Sequence, residues 1–461
     1  MKAEQEALAT APVESRGAGG WLSRWEPENA TFWRETGSKV AWKTLMLTTV
    51  ALVLSFATWF AMSVLVVRLP AIGFKFDTMQ LFWLAAMPGL AGGTLRLVHT
   101  FLIPIFGTRL VIGIAALLKL IPCIGLGLAV MNPDTPFWMF VALAFAAGMG
   151  GGDFSSHMPS TSMFFPKRLQ GTALGIQAGV GNFGVSLAQF VSPWIIGFAL
   201  FGSLGGGSQV FRKGDVSKPM WLQNATFWYV PVLVVLGVAC LVMLRSVPIK
   251  ASFREQLDIF KNKHTWFCTV TYVMTFGSFS GFAASFPLMI KEIYGNFPNA
   301  PDPLKYAFLG PLIGSATRVL FGFVADKTGG AILTHVTGIA MMLLCLAMVF
   351  FGALTPTSLD QFPLFVAGML ALFFFSGIGN ASTFRQFPII FAHSPRQGAQ
   401  VLGWTGAIAA YGPFAFSLLI GSSITKMGSA KPFFIGATVF FLVAVLVNWW
   451  FYTKKGCECP S

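Results

Sequence analysis

Residues 80–101 read QLFWLAAMPGLAGGTLRLVHTF, an apolar run long enough to cross a bilayer, with Arg96 in its second half. Holding an arginine near the middle of a membrane costs roughly 3 kcal/mol or more, so such a residue is rarely there without a function. A second run answers the first. Residues 304–326 contain GPLIGSATRVLFGFVAD, in which Gly314 and Arg318 repeat the Gly-x-x-x-Arg spacing of Gly92 and Arg96. Two cations, one in each half of an apolar chain with few acids to neutralise them, point to an anion between them.

The composition fixes the setting. Of 461 residues 55% are hydrophobic and 10% charged, with mean hydropathy +0.70, whereas about a quarter of a soluble domain is charged. Reading about 20 apolar residues as one span, the sequence predicts an all-α membrane protein. Its twelve helices fall at roughly 44–69, 78–101, 107–131, 135–165, 170–199, 225–247, 265–292, 304–326, 330–354, 361–391, 397–424 and 431–453. The net charge of +14 is read first as a topology signal rather than as nucleic-acid binding. With the N-terminus inside, 19 Lys and Arg lie in cytoplasmic segments, 9 outside and 3 within spans, which predicts cytoplasmic termini. The expected organisation is a cytoplasmic segment 1–43, a six-helix bundle 44–247, a cytoplasmic linker 248–264, a second six-helix bundle 265–453 and a tail 454–461.

The first 40 residues contain Glu4, Glu6 and Glu14 and no apolar core, so the first span itself is expected to target the chain. The Trp-rich WEPENATFW (25–33) is expected to lie along the inner membrane surface. Cys123, Cys240, Cys268 and Cys345 fall in spans as packing residues, and Cys457 and Cys459 are read as an inert tail. No P-loop, metal cluster or catalytic constellation is present in the sequence, so no cofactor and no enzymatic activity are expected.

The two halves correspond beyond their arginines. AGMGGGDFSS in the fourth span matches SGIGNASTF in the tenth, and GIQAGVGNFG in the fifth matches GWTGAIAAYG in the eleventh. The first and seventh share an aromatic series, SFATWF against TFGSFSGF. Duplication on this scale marks transporters that bind substrate near the midplane between their halves. Most glycines in such helices serve only close packing. Asn182 inside GVGNFG adds a polar group where the backbone can approach a small ligand.

At these residues the chain resembles the nitrate/nitrite porter family of the major facilitator superfamily, and its bacterial NarK-type branch in particular. GTALGIQAGVGNFG (171–184) is similar to the family's first nitrate signature and SGIGNASTF (376–384) to its second. The resemblance spans nearly the whole chain. It implies a major facilitator fold, a bacterial inner-membrane location and, as partners, nitrate, nitrite and the lipid bilayer, the protein working as a monomer. It further implies that nitrate sits between Arg96 and Arg318, packed by Phe56, Phe154, Tyr272 and Phe276, with Asn182 and Gly179 from the first signature. A serine of the family's site falls near Gly406, leaving Thr405 as the neighbouring hydroxyl. GFVADKTGG (322–330) resembles the superfamily's Gly-x-x-x-Asp-Arg-x-Gly motif, with Lys327 in place of arginine.

The chemistry agrees with the resemblance. Nitrate is a flat monoanion, and a guanidinium fork meets it edge-on with two parallel hydrogen bonds that an ammonium cannot reproduce. Ring faces suit its flatness and disfavour tetrahedral anions. Arginines that merely hold helices together are the competing reading, and space-filling is the competing reading for the phenylalanines, of which the chain has 48. The expected activity is uptake of nitrate in exchange for nitrite by alternating access; proton-coupled nitrate symport is the alternative, and a carrier or channel for another small anion a more distant one. One more pair stands apart from the resemblance. Lys119 and Asp153 lie at matching depths on consecutive antiparallel spans, so an ion pair is expected between them, either structural or coupling a proton to transport.

Overall fold

In hydrocarbon every backbone polar group needs an internal partner, so the apolar runs can cross only as helices. In the computed structural model they do. It describes residues 15–17, 19–248 and 254–461; Lys2, Glu4, Glu6, Glu14 and positions 249–253 of the linker lie outside these. Ten helical stretches are long and apolar enough to cross a membrane. One of them, Thr78–Met131, is 54 residues long and breaks at Gly107, whose φ of 79° no helix continues, so it makes the second and third passes. Lys167–Ile195 is a further 29-residue helix, less apolar because of its glycines and amides. Counted so, the described chain makes twelve passes.

The remaining spans are Ala30–Leu65 (first), Phe137–Phe164 (fourth), Asn224–Met243 (sixth), Lys263–Tyr294 (seventh) and Leu304–Thr328 (eighth). They continue with Gly330–Phe350 (ninth), Leu359–Ile390 (tenth), Gln400–Met427 (eleventh) and Lys431–Thr453 (twelfth). Local chemistry sets the ends. Asp77 and Gln80 form a capping box that starts the second span, and Gly329 (φ 89°) and Gly428 (φ 74°) turn the chain between spans eight and nine and spans eleven and twelve. The spans differ sharply in surroundings. The most apolar stretch of the seventh is 94% buried and that of the first 78%, against 33% in the sixth and ninth, so spans one and seven line the centre and spans six and nine face lipid.

In WEPENATFW, Asn29 caps a helix that begins at Ala30 and runs on into the first span. Trp25 packs edge-on against Phe32 and Phe164 and donates to the Met163 carbonyl at 3.1 Å, the partly buried indole N–H thereby finding a partner. Besides the short pair β1 (Ser15–Arg16) and β2 (Trp21–Leu22), the chain forms an antiparallel hairpin of β3 (Gln209–Lys213) and β4 (Val216–Met220), turned at Gly214 with φ 56°. The C-terminal tail folds back on the seventh span, where Glu458 pairs with Lys263 at 2.8 Å and His264 at 3.3 Å.

Hydrogen bonds between the first six and last six spans run from the membrane middle to the face that carries the hairpin. There Arg68 Nη2 meets both carboxylate oxygens of Asp302 at 2.7 Å. Thr78 donates to Glu292 at 2.7 Å, Ser186 to the Phe308 carbonyl at 3.0 Å and Gln189 to the Ala283 carbonyl at 2.9 Å. Lys213 of β3 donates to the Ala300 carbonyl at 3.0 Å, which lays the hairpin across the seam.

Candidate anion site between the halves

The site is built twice, once in each half. In the first, Gly92 lets the Trp59 ring lie against the second span, since a Cβ at Gly92 would stand 3.0 Å from Trp59 Nε1. In the second, Gly314 does the same for Phe279 at 2.7 Å. Trp59 and Phe279 hold the same place in the aromatic series of spans one and seven, as do Phe56 and Phe276. One turn beyond each glycine comes the arginine, Arg96 fully buried and Arg318 5% exposed.

Arg96 is held by backbone and rings. Its Nε donates to the Gly151 carbonyl at 2.8 Å and its Nη1 to the Gly406 carbonyl, on the other half, at 2.6 Å. The guanidinium carbon lies 4.4 Å from the Phe154 ring centre, 5.4 Å from Trp59 and Phe276, and 6.0 Å from Phe56. Phe56 and Phe154 stack at 5.9 Å and 18°. Arg318 lies 4.7 Å from Phe384 and 6.0 Å from Phe276. Phe276 therefore has a guanidinium of each half against it. It sits in a π-helical turn, Val273–Gly277, and stacks on Tyr272 at 5.5 Å and 10°. Such single π-turns occur often at functional positions.

What these groups leave unsatisfied is the informative part. Arg96 Nη2 and both Nη atoms of Arg318 are buried without a hydrogen bond of good geometry, and the buried Tyr272 hydroxyl faces Arg318. Leaving one buried donor unpaired costs about 1–3 kcal/mol, and more when it is charged. Both side-chain polar atoms of Asn182 are in the same condition. Gly179 lies where spans five and eight cross, a Cβ there standing 2.8 Å from Val319 Cγ2, next to Arg318 in sequence. The Thr405 hydroxyl donates to its own helix at Leu402 (3.2 Å), and Gly406 contributes its carbonyl instead.

Lys119 Nζ lies 2.6 Å from Asp153 Oδ2, with both side chains at most 2% exposed. Ser55 Oγ donates to the same oxygen at 2.7 Å. Sequence reasoning passed over Trp59, Phe384, Ser55, the Gly151 carbonyl and Asn380, whose two side-chain polar atoms are also buried and unpaired. Phe384 and Asn380 lie within the SGIGNASTF signature and were open to be found there. A backbone carbonyl carries no residue signal.

Comparison with known proteins fits this geometry. The Major Facilitator Superfamily profile matches residues 47–392. The chain is 58% identical to the probable nitrate/nitrite antiporter NarK2 of Thermus thermophilus over 443 residues, 96% of this chain and 98% of that one. The chain belongs to the nitrate/nitrite porter family of the major facilitator superfamily. Within that family it is also 35% identical to the nitrate/nitrite transporter NarU of Escherichia coli K12, over 94% of this chain and 96% of that one. Among solved structures, a bacterial homologue of the human lysosomal transporter Spinster, inward-facing and unoccupied, superposes with a TM-score of 0.65 at 14% identity. It covers 89% of this chain and 96% of its own, a likeness of fold alone. The porter is thus a multi-pass membrane transporter and not an enzyme.

Proposed function

We propose that the protein exchanges nitrate for nitrite by alternating access, with the anion held between Arg96 and Arg318. The observation that carries this reading is the set of three buried guanidinium Nη nitrogens without hydrogen bonds, one on Arg96 and two on Arg318, the two guanidinium carbons lying 5.4 and 6.0 Å from the Phe276 ring centre. A planar monoanion satisfies them edge-on while the Phe56, Phe154, Tyr272 and Phe276 rings pack its faces. Without an anion, two cations facing each other resist closure of the halves; with one, the halves can come together and rock. Exchange follows, because only the loaded protein reorients. The names of the relatives support nitrate and nitrite as the pair; Gly179 meets Val319 where spans five and eight cross, and Asn182, one turn further on, is buried with both side-chain polar atoms unpaired. The acid in the middle of the fourth span, Asp153, is engaged by Lys119 and Ser55, which favours exchange over proton symport.

The lysine and arginine distribution supports cytoplasmic termini, and the bacterial relatives support the cytoplasmic membrane as the location. We assign the monomer as the working unit, since each chain carries both halves of the site. Counterflow tests the proposal: vesicles loaded with nitrite, external nitrate and no proton gradient. Nitrate is expected to enter only when nitrite is inside; uptake into nitrite-free vesicles driven by an acid exterior would replace exchange with symport.

A further inference from the structure

The Lys119–Asp153 pair stands directly behind the Arg96 wall of the site. Asp153 lies at a joint in the fourth span, between the short helix Met149–Gly152 and the helix Phe154–Phe164. Two residues before it, Gly151 supplies the carbonyl that takes Arg96 Nε; immediately after it, Phe154 supplies the ring 4.4 Å from the guanidinium carbon. The same carboxylate reaches a different helix through Ser55, and the residue after Ser55 is Phe56, which stacks on Phe154. Lys119 sits at a matching joint between the helices Thr78–Leu118 and Leu120–Met131, and donates to the Ala115 carbonyl at 3.0 Å as well as to Asp153. One carboxylate oxygen thus ties spans one, three and four together at the residues adjoining both rings and the carbonyl that fix Arg96.

We infer that Lys119, Asp153 and Ser55 are positioning residues for anion binding, which set the Phe56–Phe154 stack and the Gly151 carbonyl and so aim the Arg96 fork. The inference rests on the reading of Arg96 as an anion ligand. A buried pair that served only to neutralise its own charges would be replaceable by two apolar side chains. A pair that aims the fork is not, because the apolar replacement removes the acceptor through which Ser55 ties the first span to the fourth and leaves its hydroxyl only the Ala51 carbonyl of its own helix, at 2.8 Å.

The test measures nitrate and nitrite KM, maximal exchange rate and thermal stability in proteoliposomes of the full chain. Lys119→Leu with Asp153→Leu is expected to keep its folded yield while KM rises about tenfold with a smaller change in maximal rate. Lys119→Met with Asp153→Asn, which keeps an oxygen for Ser55, is expected to bring KM back to within about threefold of wild type. Ser55→Ala alone removes one hydrogen bond and is expected to raise KM several-fold at unchanged melting temperature. This last variant decides the matter if the double leucine variant does not fold. Wild-type KM in a folded double leucine variant or in Ser55→Ala overturns the inference, as does a Met/Asn pair no better than Leu/Leu. Arg96→Lys, run alongside, separates the two levels: normal exchange in that variant removes the site reading itself, whereas its loss together with wild-type KM in Ser55→Ala removes only the positioning role.

Discussion

A lysine at position 96 or 318 keeps the charge and loses the planar fork. Two charge-assisted hydrogen bonds at roughly 1.5–3 kcal/mol each translate, even with partial compensation, into a fall in exchange on the order of 100-fold or more. Arg96→Lys and Arg318→Lys should therefore purify as folded protein and fail in counterflow; near wild-type exchange in either removes that arginine from the site. The rings carry less. Phe154→Ala or Phe276→Ala gives up a cation–π contact worth about 1–2 kcal/mol, so nitrate KM should rise roughly tenfold and bulkier anions such as chlorate should compete better. Unchanged selectivity in both would return the rings to packing. The arginines were legible because a charge in an apolar run has a cost that needs a reason. The phenylalanines were legible only through the family resemblance, since one Phe among 48 carries no signal of its own.

The repeat reads most clearly in glycine pairs on matched helices. Gly175 and Gly403 open their motifs and each faces open space, while Gly184 and Gly412 close them and face the backbone carbonyls of Val53 and Gly277 respectively. The closing glycine in each half is therefore a packing residue that brings span five against span one, and span eleven against span seven. Gly184→Val or Gly412→Val forces those helices apart, at an overpacking cost of about 1–3 kcal/mol. Both variants should melt several degrees lower in detergent, whereas Gly175→Ala and Gly403→Ala should melt like wild type; equal melting of all four would contradict this division. Spacing alone announced the motif but not which glycine touches what. The π-turn at Val273–Gly277 and the β3–β4 hairpin were not legible at all: the first depends on one extra residue in a helical turn, the second on Phe211 finding the Arg68 side chain 5.4 Å away.

Across the whole molecule, the face carrying the hairpin is sealed by Arg68–Asp302, Thr78–Glu292 and Lys213–Ala300, and these contacts must part before the site can open there. Arg68→Ala should weaken the seal. A cysteine placed at Ser63, buried near that end of the first span, should then react several-fold faster with a membrane-impermeant thiol reagent; an unchanged rate would mean that Arg68 does not hold the seal. Burial pushes the Asp302 carboxyl up, but the Arg68 charge and its hydrogen bonds outweigh it and hold the pKa below the ordinary 3.8. A depressed carboxylate contributes stability above its unfolded pKa and loses it only as pH falls through the lower folded value. Labelling of the Ser63 cysteine in otherwise wild-type protein, taken relative to a fully exposed thiol at the same pH so that thiolate ionisation cancels, should therefore be flat from pH 5 to 8 and rise only below about pH 4. The twelve passes and their duplication followed from hydropathy and repeated motifs, but which face is shut depends on side chains from loops that sequence does not pair. One further consequence lies in the partners of the two arginines, which are carbonyl oxygens and ring faces without formal charge. Positive charge is thus fixed inside the electric field of the membrane, where one elementary charge moved through 100 mV is worth about 2.3 kcal/mol. Each half-cycle with a monoanion carries the same net charge across that field, outward and then back, so one-for-one exchange sums to zero current. A voltage clamped across the vesicle can alter the pace of single steps but adds no driving force, and the cell's membrane potential is neither spent by nitrate entry nor drained by nitrite leaving.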